Sequence, residues 1–142
     1  MSNKIDDVTI RYHPEPGDVF FCRFPVPGEH EYAPPEMVKV RRVVALSPRF
    51  RRHVPSTILV VPLSASPPSP IEPYHYKLVG SYPFLTAPES WAKGNMVAHV
   101  ALTRLFQVYR HGKVANAALT PTDLQGIIQA VAQALGIHHV DI

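Results

Sequence analysis

The chain has one cysteine, Cys22, among 142 residues, and only 18% of its residues carry a formal charge. A lone thiol can neither close an intramolecular disulfide nor supply the thiolate set of a structural zinc site, which fits a reducing compartment. So few charges, beside 46% hydrophobic residues, exclude a disordered polyampholyte and allow one good core at this length. No apolar run approaches the roughly 18 residues needed to span a bilayer, and residues 1–7 lack the apolar centre of a signal peptide. A soluble cytoplasmic protein with no membrane partner is expected. Also missing are a Gly-rich phosphate loop, a paired zinc-ligand motif, a nucleophile elbow and an internal repeat. No metal and no cofactor are therefore expected. His138, His139 and Asp141 look like a metal tract, but adjacent side chains at a chain end seldom converge on one ion.

Proline, in contrast, is abundant, with 16 residues. Because proline lacks an N–H and fixes φ, its clusters mark edges and turns and predict loops over residues 25–35 and 64–73. Runs rich in Val, Ile and Phe predict strands near residues 18–24, 37–47 and 57–63, a weaker one at 74–78, and a pair at 95–101 and 105–110 with Thr103 and Arg104 between them. One helix is expected to begin after Thr120, which can cap it, with Pro121 at its first position and Asp123 where a capping-box acid reaches back. Leu124, Ile127, Ile128, Val131 and Leu135 recur at helical spacing and predict the face packed on the sheet. Gly136 then ends the run as a left-handed cap. The fold class is mainly β, a small barrel or strongly bent sheet with a C-terminal helix. Residues 1–15 read as a flexible N-terminal arm and 16–142 as a single barrel domain.

Two stretches carry the functional signal. Arg41, Arg42, Val43, Val44, Ala45, Leu46, Ser47 and Pro48 are followed, after a basic turn, by Thr57, Ile58, Leu59, Val60, Val61, Pro62, Leu63 and Ser64. They place a charged fork and a hydroxyl at opposite ends of a hairpin. Together with Pro16, Gly17, Asp18, Val19, Phe20, Phe21, Cys22, Arg23 and Phe24, this pattern resembles the MazF/PemK family of toxins, small metal-independent endoribonucleases from toxin–antitoxin pairs. The resemblance covers residues 16–136 and implies an SH3-like barrel of the MazF/PemK/CcdB type. It further implies a homodimer that cuts single-stranded RNA to 2′,3′-cyclic phosphate and 5′-hydroxyl ends. A cognate antitoxin, with which such toxins bind DNA, is the implied protein partner.

Aligning Leu46, Ser47 and Pro48 with the family puts its arginine at Arg41, with Arg42 in the place of the usual proline. A slip of one residue would hand the role to Arg42 and flip every side chain to the other sheet face. A guanidinium forks onto two phosphate oxygens and can stabilise the phosphorane of RNA cleavage, although strand-end arginines are also commonly just solvated. Ser64 aligns with the family's small hydroxyl, able to hold a phosphate oxygen, and is equally an ordinary turn residue. His99 takes the place of an acidic strand residue, as a substitute acid or base or as a hydrogen-bonded structural histidine. Glu36 corresponds more weakly to an acidic loop residue of some relatives. Asp18, after Gly17, reads mainly as a turn-building residue. Arg49, Phe50, Arg51 and Arg52, with Arg42, are the RNA-contact candidates, because basic groups track phosphates while a ring stacks on an unpaired base. A formal charge of +3 agrees with an anionic partner without identifying one. The rival reading is a non-catalytic barrel acting on a protein such as gyrase, since fold does not fix function.

Overall fold

The computed structural model describes residues 10, 13–24, 40–48, 57–110, 113–114 and 117–137. In chain order its strands are β1 (Val19–Arg23), β2 (Val40–Ala45), β3 (Thr57–Ser64), β4 (His75–Lys77), β5 (Trp91–Lys93), β6 (Ala98–Ala101), β7 (Leu105–Gln107), β8 (Tyr109–Arg110) and β9 (Lys113–Val114), followed by helix α1 (Pro121–Ala134). All pairings are antiparallel. Five strands follow the path β6-β3-β2-β1-β7, and the 3-10 turn Leu102–Arg104 links the last residue of β6 to the first of β7. The sheet thus curls back on itself, although among the described residues no ladder joins β6 to β7 and the barrel stays unclosed.

Strand alternation explains two separate cores. Phe20, Cys22, Val43, Ala45, Ile58, Val60, Val100 and Leu105 point to one face and form a cluster inside the curl. Val19, Val44, Val61 and Leu63 point to the other, where they meet Ile127 of α1 and Leu78 and Phe84 of the segment after β4. Ile127 is fully buried, worth about 2–3 kcal/mol of apolar transfer. Strand β3 is the junction: residues 57–60 pair with β6, residues 60–62 with β2, and residues 63–64 with β5.

Helix α1 starts and stops where its cap residues predict. Thr120 has extended backbone and its hydroxyl accepts from the Asp123 N–H at 3.2 Å. At the other end Gly136 has φ +81, the Gly136 N–H reaches Gln133 O at 3.0 Å and the Ile137 N–H reaches Ala132 O at 2.8 Å, a Schellman closure. The reciprocal half of the expected capping box is not formed. The Thr120 N–H donates instead to the Tyr82 hydroxyl at 2.9 Å, because the Asp123 carboxylate is engaged elsewhere. The buried face also differs in part from the expected one: Leu135 is 68% exposed while Ala130 and Ala132 are buried, the helix ending beyond the sheet it covers.

Three further expectations change. Residues 95–96 lie in a 3-10 turn, Gly94–Met96, so β6 begins only at Ala98. The strands β5 and β9 were not expected. In the segment read as an arm, Ile10, His13 and Pro14 are buried, and the Ile10 N–H donates to Leu105 O at 3.4 Å, so that part lies on the barrel.

Candidate functional site

The geometry of the candidate residues follows from the β2–β3 register. Val43 pairs with Pro62 and Val44 with Val61. The ladder ends at the Val43–Pro62 pair, and Arg41 and Ser64, each two residues beyond it on its own strand, share by alternation the sheet face of Val43 and Pro62. Arg41 is exposed at the start of β2. The Ser64 hydroxyl accepts from the Ser66 N–H at 3.2 Å and lies 3.3 Å from Ser66 O, so it also builds the turn that leaves β3.

Arg42 points to the opposite face. Its Cζ lies 5.1 Å from the centroid of Phe21, its cross-strand partner, a cation–π arrangement. Burial draws its pKa below the usual guanidinium value, and its Nε is buried without a hydrogen-bond partner. Arg42 nevertheless lines a small pocket together with Leu63, Ser64, Leu85, Thr86 and Ala87. The pocket thus holds the hydroxyl candidate and one arginine, while the second arginine stands at the adjoining strand end. On the same outer face Phe21 pairs with Phe106, over which Arg23 lies at 5.4 Å. This basic and aromatic row was missed in the sequence, because it joins three strands through non-local pairing.

His99 is not brought to this group. It is exposed on β6 opposite Leu59, five residues along β3 from Ser64, or roughly 16 Å at the usual rise of a strand. Arg49, Phe50, Arg51 and Arg52 lie outside the described residues, as do Glu36, His138, His139 and Asp141. Asp18 has the turn role read for it: its carboxylate accepts from the Glu15 N–H at 2.9 Å, and its carbonyl accepts from the Ala45 N–H at 2.8 Å. Cys22 is fully buried, and loss of hydration pushes its thiol up to about 12 despite the charge of Arg104, which makes it an inert core residue. Among the described residues no three His, Cys, Asp or Glu side chains are grouped so as to hold a metal ion, and no helix is long and apolar enough to cross a membrane.

A curled antiparallel sheet with one C-terminal helix defines a small, mainly β, barrel-like protein. The family model for PemK-like, MazF-like toxins of type II toxin–antitoxin systems matches residues 15–135, and the chain belongs to that family. No curated protein matches it. Among solved structures it is similar to an endoribonuclease from Mycobacterial species, with 18% identity over 92% of this chain and 99% of that one and a TM-score of 0.63. MazF from Deinococcus radiodurans has 16% identity over 89% and 99% of the two chains, also with a TM-score of 0.63. A third, an endoribonuclease from Mycobacterial species in complex with its cognate antitoxin, has 19% identity over 87% and 96% and a TM-score of 0.60. At these identities the likeness shows the fold.

Proposed function

We propose that this chain is the toxin of a toxin–antitoxin pair and a metal-independent endoribonuclease that cuts single-stranded RNA in the cytoplasm. The observation that supports this reading is that Arg41 and Ser64, each two residues past the Val43–Pro62 pair, lie on one sheet face, with Ser64 in a pocket that Arg42 also lines. The Ser64 hydroxyl, freed from Ser66, donates to a non-bridging oxygen of the scissile phosphate, and the exposed Arg41 fork meets the charge that grows on the phosphorane. The half-buried Arg42 adds a fixed positive field behind them. The ribose 2′-oxygen gives its proton to solvent water and attacks phosphorus. The bond to the 5′-oxygen breaks, and that oxygen takes a proton from water, leaving a 2′,3′-cyclic phosphate and a 5′-hydroxyl. His99, roughly 16 Å along β3 from Ser64, has no part in this scheme within one chain.

Two partners complete the reading. A homodimer is the working form, and a cognate antitoxin binds it, a partnership supported by the relative in complex with its own antitoxin. On this chain the antitoxin covers the RNA surface. The deciding experiment incubates purified protein with a long single-stranded RNA and excess chelator. Cleavage with cyclic-phosphate ends is expected; no cleavage with or without divalent metal overturns the nuclease reading.

A further inference from the structure

Between β4 and β5, residues 79–89 form a loop whose base is closed by the Leu78 N–H donating to Ser90 O at 2.9 Å. Its first limb is tied to α1 through the fully buried Asp123. That carboxylate accepts from the Val79 and Gly80 N–H groups, both at 2.9 Å, and from the hydroxyls of Tyr76 at 2.7 Å and Tyr82 at 2.5 Å. Gly80 suits the approach, since a Cβ there would meet the Tyr82 hydroxyl at 2.7 Å. The tie extends along the loop: the Leu85 N–H donates to Tyr82 O at 3.1 Å, and Phe84 seats in the core. The second limb then supplies Leu85, Thr86 and Ala87 to the pocket that holds Arg42 and Ser64. A carboxylate on the helix therefore sets the position of a wall beside the candidate centre.

We propose that this loop is a specificity wall for a nucleobase of single-stranded RNA next to the scissile phosphate, with Asp123 and Tyr82 as its positioning residues. The inference rests on the RNA reading above. Leu85 and Ala87 offer apolar surface to a base, and the exposed Thr86 hydroxyl can donate to or accept from a base edge. The Asp123 network touches no reacting atom, so its effect falls on which RNA is held and not on the phosphorane.

The test uses Tyr82→Phe, which keeps the ring beside Phe84, together with Asp123→Asn and Thr86→Ala, each measured well below its own Tm. One readout is Kd for a set of 2′-O-methyl RNA oligonucleotides of varied sequence, which cannot be cleaved through the 2′-oxygen. The other is the pattern of sites cut in a long RNA. In all three variants Kd for the oligonucleotide that wild type binds best should rise about tenfold, equivalent to losing one or two good contacts, and discrimination within the set should shrink. The sites cut should become less selective, with kcat within about twofold of wild type, the pattern for lost uniform binding. Unchanged Kd and discrimination in Tyr82→Phe and Thr86→Ala, even with a lowered Tm, overturns the wall while leaving the nuclease standing. Wild type that discriminates among the oligonucleotides but cuts nothing, with variants that lose the discrimination, keeps the wall and removes the nuclease. Wild type that binds none of them overturns the wall.

Discussion

A carboxylate with no exposed surface has to be matched by donors, and Asp123 is matched by four. Burial by itself would raise its pKa, but the hydrogen bonds from Tyr82, Val79, Tyr76 and Gly80 outweigh that and hold it below the ordinary carboxylate value. Its ionised form therefore stabilises the fold in full above the unfolded aspartate value of about 3.9, and that contribution is lost as pH falls through the lower folded value. Asp123→Asn should cost about 2–4 kcal/mol in urea unfolding at neutral pH and should remove this part of the acid dependence. At the candidate centre, Arg41→Ala should slow RNA cleavage by about two orders of magnitude, and Ser64→Ala and Arg42→Ala each by about tenfold, read from single-turnover rates. If Arg42→Ala is dead and Arg41→Ala keeps full activity, the charged fork is Arg42. That the two arginines fall on opposite faces was legible in the sequence, because parity along a strand is local; which of them serves the site was not. The stacking of Arg42 over Phe21 was not, since it depends on which strand lies next to β2.

Helix α1 was the most legible element because its caps are local chemistry. Thr120, Pro121 and Gly136 act within one turn of themselves, so short-range rules reach them. Asp123 was misread for the converse reason: its partners Tyr76, Val79, Gly80 and Tyr82 lie more than 40 residues away in sequence. The same limit hid β5, three residues recognised as a strand only by pairing with β3 and β4. It also made residues 95–96 look extended, whereas the backbone there turns at Gly94, where an added Cβ would lie 2.7 Å from the Ala130 backbone. Substituting Gly136 by alanine should cost about 1 kcal/mol in thermal unfolding, as a side chain opposes its φ of +81 although nothing crowds the site. Thr120→Ala should cost a similar amount, about 1 kcal/mol, through the lost cap to the Asp123 N–H.

At the scale of the whole molecule, the two faces of one sheet are buried by different means, the inner by its own curl and the outer by α1 and the 79–89 loop. Both cores share β1, β2 and β3, so global unfolding should expose them together. Cys22 lies on the inner face with its thiol pushed up to about 12, and it serves as a natural probe of that event. A disulfide reagent at pH 8 should label it only at the rate of global opening, speeding up with urea in step with loss of circular dichroism. Labelling much faster than unfolding would mean that the curl opens locally, between β6 and β7, which no ladder joins among the described residues. The barrel class was legible from short strands and proline-rich turns. The distance between His99 and Ser64 was not, because it is set by β6 pairing with the far end of β3.

Pro62 marks the last pair between β2 and β3, and from Leu63 onward β3 answers to β5 instead. Lacking an N–H, it is a seam in the cloth: on one side is the curled body that holds Arg41, on the other a flap carrying Ser64, β4, β5 and the loop beyond, sewn onto the body through Leu78, Phe84 and Ala92. Changes to the flap can retune what is grasped while the body keeps its shape, and a chimera joined at this residue is the natural way to exchange one selectivity for another.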